Sequence, residues 1–199
     1  RMMLYPNQSD WGLNTATALK AQSLGAIVFA SPWTPPKELK SNGLQSNKEG
    51  AYLLPEKYAD YAAHLKAFVD YQKNRGLNIY AVSIQNEPDW KVDYDGCSWS
   101  AAQMLSFVKN YGDKLGAKVI VGEAVNNNNK SYTNAVLNDA EAVNKFDIAA
   151  THLYGSGISD DPLVRQKGKE FWMTGARWRP NWVSTRSTSQ SMTGCCGQR

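Results

Sequence analysis

The sequence predicts an α/β fold: a partial (β/α)8 TIM barrel that holds about five to six of its eight strands. Short apolar runs rich in β-branched residues alternate along the chain with amphipathic helical patterns, which is typical of parallel strands covered by helices. The apolar runs are hydrophobic at nearly every position, as expected for strands that are buried on both faces. A complete barrel usually needs about 250 residues, so a chain of 199 residues is expected to hold only part of one.

Five runs are predicted to be strands, and residues 1–5 (RMMLY) are interpreted as the end of one more. The five are 26–31 (AIVFAS), 79–85 (IYAVSIQ), 118–123 (KVIVGE), 147–153 (DIAATHL) and 170–174 (EFWMT).

Four helices are predicted between these strands, over residues 9–25, 55–76, 100–116 and 132–145. Gly25 is expected to end the first helix. Pro55 and Gly76 mark the start and the end of the second, and Ser100 is a good N-cap for the third.

Polar residues recur where the predicted strands end, and this favours a barrel over a doubly wound sheet. Ser31, Asn86–Glu87, Glu123 and His152–Tyr154 all follow or close a strand. The carboxyl ends of the strands are the place where barrels carry their chemistry. A doubly wound sheet more often has a glycine-rich turn after its first strand, and this chain has none.

Composition excludes several classes of function. The net charge is +4 without the basic stripe typical of nucleic-acid binders, and no run of 18 apolar residues could cross a membrane. The three cysteines, Cys97, Cys195 and Cys196, are too few and too oddly spaced for a disulfide framework or a zinc site. We expect Cys97 to be a surface or half-buried thiol, and we predict no metal and no cofactor. The opening RMMLYP lacks a signal peptide and is interpreted as a cut inside a longer protein.

Glu87 is the first candidate for chemistry. A carboxyl group at the end of a buried strand and beside aromatic residues is expected to have a raised pKa, because desolvation disfavours its charged form. Such a group suits general acid catalysis. The alternative is that Asn86–Glu87–Pro88 only forms a turn, a place that asparagine favours.

Aromatic residues near other strand ends point to a sugar ligand. Trp33 stands among prolines in ASPWTPP (30–36), where a rigid indole can offer a flat face to the C–H groups of a sugar ring; the alternative is that it belongs to the core. His152 and Tyr154 in THLYG (151–155) share one face of a strand end.

These motifs together resemble glycoside hydrolase family 30, within clan A of the retaining β-glycosidases. VFASPWTPP (28–36), YAVSIQNEPD (80–89), THLYG and FWMT (171–174) occur in order, and the chain is most similar to the bacterial glucuronoxylan-type endo-β-1,4-xylanases over residues 1–174. The resemblance implies that residues 1–174 form an incomplete glycosidase catalytic domain whose partner is a polysaccharide, xylan or glucuronoxylan. It also implies a full-length protein that is monomeric and secreted, because xylan is too large to enter cells.

The resemblance assigns roles to residues around the sugar to be cleaved. Glu87 corresponds to the acid/base, Asn86 to the residue that contacts the 2-hydroxyl, and Trp33 to the floor of the subsite. His152 and Tyr154 line this subsite, with Tyr154 orienting the nucleophile.

Other residues correspond to supporting positions. Glu123 is expected to line the cleft without being the nucleophile, and Arg1 matches an arginine near the nucleophile. Trp90, together with Asp89 and Trp99, is expected to border the cleft on the leaving-group side. The alternative is that each of the three is a solvated loop residue.

The nucleophile itself is missing. Retaining glycosidases need two carboxyl groups about 5–5.5 Å apart, and the family places a glutamate directly after the strand that matches FWMT. Gly175 occupies that position, and no Asp or Glu occurs from 175 to 199.

Residues 175–199 form an aberrant tail without helical or strand periodicity. We interpret the tail as the product of a reading-frame error near residue 175, and a genuine divergent tail is the alternative. Sequencing the gene decides between them, since an in-frame template for the tail as printed ends the first interpretation.

The sequence therefore predicts a retaining endo-β-1,4-xylanase by family with little or no hydrolytic activity in this chain. Two alternatives stay open: another family 30 β-glycosidase acting on β-glucosides, glucosylceramide or β-1,6-glucans, or a non-catalytic xylan-binding remnant. Exposed strand edges of an open barrel are also expected to make the chain poorly soluble.

Overall fold

Six parallel strands form one sheet in the computed structural model, which describes residues 1–176. The strands are β1 (Met2–Leu4), β2 (Phe29–Pro32), β3 (Ala81–Ser83), β4 (Lys118–Ala124), β5 (Ile148–His152) and β6 (Glu170–Gly175). Each strand pairs in parallel with the next one along the chain, so the spatial order is the order of the sequence. In a doubly wound sheet the strand order reverses at a switch point. The strand order here never reverses, so the sheet is a partial barrel, as predicted.

Five helices connect the strands in turn. They are α1 (Thr15–Ser23), α2 (Tyr58–Lys73), α3 (Ala101–Tyr111), α4 (Ser131–Leu137) and α5 (Pro162–Gln166). The helix predicted over 132–145 is wrong in its length, because the backbone N–H groups of Glu141 and Ala142 bond to the Asp139 side chain and a short 3-10 turn (Ala142–Lys145) follows. The strand predicted from residue 26 begins instead at Phe29, since Ile27 is exposed. The sequence did not predict α5.

Helix α2 presses one apolar face onto the outside of the sheet. Tyr61, Leu65 and Phe68 are fully buried, and each such side chain contributes roughly 1.5–3 kcal/mol through removal from water. The Tyr61 hydroxyl also donates a hydrogen bond to the carbonyl oxygen of Ile84 at 2.7 Å. This bond fixes the backbone three residues before Glu87 and so connects the helical layer to the end of β3.

The N-cap predicted for α3 is confirmed. The Ser100 hydroxyl accepts a bond from the backbone N–H of Gln103, and the Gln103 side chain accepts one from the backbone N–H of Ser100. This reciprocal arrangement satisfies two N–H groups that would otherwise lack partners at the helix start.

Side chains on the inner face of the sheet show how strongly it curls. Trp172 of β6 contacts Phe29 of β2 edge to face, with ring centroids 5.6 Å apart, and stacks on Tyr80 at 6.0 Å. Lys118 of β4 reaches Glu170 of β6 across β5, with a nitrogen–oxygen distance of 2.8 Å. A flat sheet would keep β2 and β6 four strands apart, so these contacts require the curvature of a barrel wall.

Strand β6 is less enclosed than the others. Phe171 and Met173 are 37% and 42% exposed, and within residues 1–176 β6 pairs with β5 alone. The consequence expected for solubility stays a prediction.

The expectation for Cys97 is wrong. The thiol is fully buried, and burial raises its pKa to about 12. The predictions for the tail beyond Ala176, including Cys195 and Cys196, lie outside the described residues. No helix in residues 1–176 has the length and apolar character needed to cross a membrane.

Candidate active site

The carboxyl ends of β2 to β6 bring together the polar residues that the sequence singled out. Ser31, Glu87, Glu123, His152 and Gly175 all meet at this edge of the sheet. Their convergence follows from the parallel pairing, because every strand ends on the same side.

Glu87 stands on a constrained backbone just beyond β3. Its φ is +46°, a left-handed conformation that costs a non-glycine residue on the order of 1–3 kcal/mol. Its backbone N–H donates to the carbonyl of Glu123 at 3.0 Å, and that of Asn86 donates to Pro32 at 2.9 Å. These bonds to β2 and β4 hold the turn in place, and the Glu87 side chain is 17% exposed.

His152 lies between two carboxyl groups. Its Nδ1 is 3.0 Å from Oε1 of Glu87, and its Nε2 is 3.6 Å from Oε1 of Glu123. Burial of the ring opposes protonation, but the nearby carboxylate of Glu123 and the hydrogen-bonded carboxylate of Glu87 outweigh it, so the pKa of His152 is raised. The arrangement therefore favours an imidazolium between two carboxylates.

Glu123 is the buried member of this group and, like Glu87, has a positive φ, +50°. The Ser31 hydroxyl donates to its Oε2 at 2.7 Å, and the Arg1 guanidinium lies 3.7 Å from its Oε1. Burial opposes ionisation, but the charges of Arg1 and His152 prevail and lower the pKa of Glu123 to about 2. The expectation that Glu123 lines the cleft is wrong, because its side chain has no exposed surface. Its carboxylate instead lies next to Nε2 of His152, inside the protein.

Arg1 precedes β1 and connects two of the predicted residues. Its guanidinium donates to Oδ1 of Asn86 in addition to its contact with Glu123. Asn86 is 6% exposed. The asparagine is thereby oriented by a charged neighbour beside the cleft.

Gly175 closes β6 directly against His152. A Cβ atom added to Gly175 would lie 2.8 Å from Cγ and Cδ2 of the imidazole and 2.9 Å from Nδ1. The same Nδ1 contacts Glu87, so position 175 and Glu87 are neighbours of one ring atom. The φ of Gly175 lies outside the left-handed region, so the backbone at this position is compatible with a side chain. The His152 ring, however, occupies the space that a side chain would need.

Three partly exposed aromatic side chains, here called the aromatic wall, follow the strand ends: Trp33, Tyr94 and Tyr154. Trp33 is half-buried, not a core residue, and its ring centroid is 5.9 Å from that of Tyr94. Tyr154 is 36% exposed and meets the His152 ring edge to face at 5.5 Å. Partial burial and the charges of Glu87 and Tyr154 raise the pKa of Tyr94. An open pocket of ≈ 350 Å³ is lined by Met3, Trp33, Tyr94 and Asp95.

Sequence reasoning missed Tyr94. Its signal was available, because a tyrosine follows the Glu87 strand end by only seven residues, in a loop without a helical pattern. The contact with Trp33, however, joins two loops that are 61 positions apart, and nothing in the sequence predicts that pairing.

The three residues expected on the leaving-group side have different surroundings in the structure. Trp90 is 51% exposed, as a cleft-border residue would be. Trp99 is 5% exposed and stacks on Tyr58 within the core, so its expected place on the cleft is wrong. Asp89 accepts bonds from the backbone of Val125 and the side chain of Asn129, which connects two loops.

A buried lysine joins the loop that follows Trp33 to the loop that contains Tyr94; these are the two aromatic loops. Lys40 is 3% exposed, and its ammonium group donates to the carbonyl oxygens of Gln45, Ser46 and Gly96 at 2.8, 2.9 and 2.6 Å. Burial lowers the pKa of Lys40. Since Gly96 belongs to the loop of Tyr94 and Lys40 to the loop that follows Trp33, this side chain fixes the aromatic wall, and sequence analysis did not find it.

The geometry allows one carboxyl group to exchange protons with a ligand in an aromatic cleft. Glu87 reaches the surface, whereas Glu123 does not. Retention at a sugar carbon needs a second reactive carboxylate opposite the first, and position 175 offers no acid.

Comparisons with known proteins agree with this architecture. No family model matches the chain. Glucuronoxylanase XynC of Bacillus subtilis is 40% identical over 182 residues, which cover 87% of this chain and 42% of the relative. The putative glucosylceramidase 3 of Caenorhabditis elegans is 28% identical over 151 residues, which cover 69% of this chain and 28% of that protein.

A solved structure gives the same result. The glycoside hydrolase family 30 subfamily 8 xylanase Xyn30A from Clostridium acetobutylicum superposes with a TM-score of 0.80 at 41% identity, covering 87% of this chain and 48% of that one. The chain thus spans less than half the length of the xylanases it matches.

Proposed function

The matched part of this chain belongs to glycoside hydrolase family 30, and from this premise we propose that it carries the sugar-binding cleft and the acid/base of a retaining endo-β-1,4-xylanase acting on xylan. The observation that carries the proposal is the placement of Glu87 at 3.0 Å from His152, where the preceding Gln85 and Asn86 are hydrogen-bonded to the Pro32–Trp33 segment. A partly exposed carboxyl group next to an aromatic cleft suits proton transfer to a glycosidic oxygen.

The ligand contacts follow from this placement. Trp33 and Tyr94 stack on sugar rings, because an indole or phenol face packs well against C–H groups. The Asn86 carboxamide, oriented by Arg1, bonds to a sugar hydroxyl. Tyr154 covers the edge of His152 and closes the subsite.

The second half of the catalytic pair is missing from this chain. Gly175 stands where the nucleophile is expected, and residues 175–199 contain no acid that could replace it. Glu123 does not replace it either, because it is fully buried and bonded to Ser31. Loss of one member of a cooperating pair costs orders of magnitude in rate, so we propose that the chain binds xylan and hydrolyses it very slowly.

The test compares Gly175→Glu with Gly175→Gln. Both side chains have nearly the same volume, and both must displace the His152 ring, which a Cβ at 175 would approach to 2.8 Å. Only the carboxylate can form a glycosyl ester. We expect release of reducing sugar from glucuronoxylan to rise at least about 100-fold in Gly175→Glu and to stay at the wild-type level in Gly175→Gln.

Binding of xylohexaose, measured by calorimetry, provides the second readout, and we expect it in all three proteins. A wild-type hydrolysis rate equal to that of Gly175→Glu would overturn the assignment of the missing nucleophile. Binding and hydrolysis of β-1,6-glucan or glucosylceramide in preference to xylan would instead favour the alternative that the glucosylceramidase relative represents.

Two further properties of the full-length protein belong to the proposal. We expect it to be secreted, because its polymeric substrate cannot enter cells, and to be monomeric. Sequencing of the complete gene tests for a leader and for the frame error near residue 175, and sedimentation of the full-length product tests its oligomeric state.

A further inference from the structure

We propose that the chain, with Gly175 in place, catalyses sugar transfer from an α-glycosyl fluoride to an acceptor hydroxyl, with Glu87 as the general base. This activity rests on the proposed function, because it uses the same cleft and the same class of sugar. It differs from that function in its reaction, a single displacement that needs no enzyme nucleophile.

The first argument is the asymmetry of the two carboxyl groups that contact His152. Glu87 has 17% of its side chain exposed, whereas Glu123 has none and is already bonded to Ser31 and paired with Arg1. Of these two, Glu87 alone can meet a ligand. One reachable carboxylate can move a proton, but it cannot also form a glycosyl ester on the opposite face of the sugar.

The second argument is the protonation state that the geometry favours. The His152 ring is buried between Glu87 and Glu123, and its Nδ1 lies at hydrogen-bond distance from Oε1 of Glu87. Both carboxylates favour a proton on the ring, and the raised pKa of His152 agrees with this arrangement. The bond from the ring orients the partly exposed Glu87 carboxyl group, which is then placed to take a proton from a ligand hydroxyl, as a general base does.

The third argument concerns the α face of the bound sugar, which no carboxylate of residue 175 can attack because that residue is glycine. In a retaining β-glycosidase the nucleophile attacks the anomeric carbon from the α face, opposite the leaving group. A donor that carries fluoride on that face brings its own leaving group to the place where the enzyme has none. The protonated His152 ring, in contact with Gly175, adds positive charge beside the departing anion.

The reaction balances without any further reagent. The acceptor oxygen forms a bond to the anomeric carbon from the β face, and the carbon–fluorine bond breaks with both electrons leaving on fluoride. The acceptor proton passes to Glu87 and then to solvent. The product has a β linkage that the chain lacks the nucleophile to cleave, so it accumulates.

The experiment uses the whole chain with α-xylobiosyl fluoride as donor and 4-nitrophenyl β-xyloside as acceptor. A fluoride electrode follows the release of fluoride, and mass spectrometry follows the product. We expect an accumulating trisaccharide glycoside in the wild type and a decrease of at least about 100-fold in Glu87→Gln. Glu56→Gln changes an exposed glutamate before α2 and is expected to leave the rate unchanged.

The outcomes separate the two proposals. Xylohexaose binding without any transfer product would overturn the transfer activity and leave the proposed cleft intact. Absence of xylohexaose binding would overturn the proposed function and the transfer activity with it. Transfer that persists in Glu87→Gln would contradict the role of Glu87, and a Gly175→Glu variant that accumulates as much product as the wild type would contradict the argument from the missing nucleophile.

Discussion

Strands β3 and β6 both end beside His152, yet they differ in enclosure and in what they present. All residues of β3 are buried, and it leads into Asn86 and Glu87. Strand β6 has exposed residues at alternate positions and ends in Gly175. The comparison shows that the position of the site comes from the parallel sheet, whereas its chemistry depends on the single residue that ends each strand. A sheet can therefore keep its cleft and lose its reaction.

The largest expected effect contrasts two phenylalanines, one on each side of this comparison. Phe68 of α2 is fully buried behind the sheet, whereas Phe171 of β6 is 37% exposed. We expect Phe68→Ala to lower the free energy of unfolding by about 3–5 kcal/mol and Phe171→Ala by less than about 1 kcal/mol. Urea unfolding followed by circular dichroism measures both, and equal losses would show that the two sides are equally well packed.

The second prediction concerns pH and the carboxyl groups around His152. The pKa of Glu123 is about 2 in the folded protein against an ordinary value of 4.5, so its ionised form stabilises the fold above pH 4.5. This stabilisation is lost as the pH falls, and the loss amounts to about 2 kcal/mol at pH 3. The pKa of His152 is raised above 6.5, so its stabilisation is present below pH 6.5 and is lost as the pH rises through its folded value. We expect maximal stability between pH 4.5 and 6.5.

Urea unfolding at pH 3, 5.5 and 8.5 tests this profile. Glu123→Gln should flatten the acid side and His152→Asn the alkaline side. A wild-type protein as stable at pH 8.5 as at pH 5.5 would contradict the imidazolium between the two carboxylates.

The third prediction concerns Lys40, which belongs to the well-packed side. Lys40→Met removes the donor of three carbonyl groups and is expected to cost about 1–2 kcal/mol. It should also weaken xylohexaose binding, because the loop of Tyr94 loses its attachment. Lys57→Met, at a lysine with 40% of its side chain exposed, serves as the matched control and should change stability by less than about 0.5 kcal/mol. Unchanged binding in Lys40→Met would separate this residue from the cleft.

The smallest effect is expected at the start of α3. Ser100→Ala removes the hydroxyl that caps the helix and should cost about 1 kcal/mol. Ser106→Ala, at an exposed position within the same helix, should be neutral or slightly stabilising, because alanine is the better helix former. A difference near zero between the two variants would show that the cap is not needed once the helix is packed.

The sequence predicted the features that depend on local patterns. Strand and helix alternation predicted the barrel, and a serine before the apolar helical pattern predicted the cap of α3. Strand-end positions brought Glu87, Glu123 and His152 to one edge, because parallel strands end on the same side. These predictions succeeded because each follows from periodicity or from a short motif.

The predictions that failed depended on burial and on contacts between distant segments. Trp99 lies in the loop region after Glu87, but its ring packs in the core against Tyr58. Cys97 and Lys40 are buried under the two aromatic loops. Burial in such loops is not predicted by any periodic pattern in the sequence. The contact between Gly175 and His152 depends on a shift in strand register between Thr151 and His152. Such a shift is set by the whole sheet and not by its local sequence.

The left-handed backbone at Glu87 and Glu123 has a consequence for how this chain would evolve under different pressures. Glycine adopts a positive φ without steric cost, so Glu87→Gly would relieve backbone strain while removing an ionisable group. The buried Glu123 differs, because its contacts with Ser31 and Arg1 would be lost with the side chain. Laboratory selection for expression yield alone would therefore enrich glycine at 87 and keep Glu123. Selection on sugar turnover would keep both acids, and the frequency of glycine at 87 in parallel libraries would report which pressure the fold had experienced.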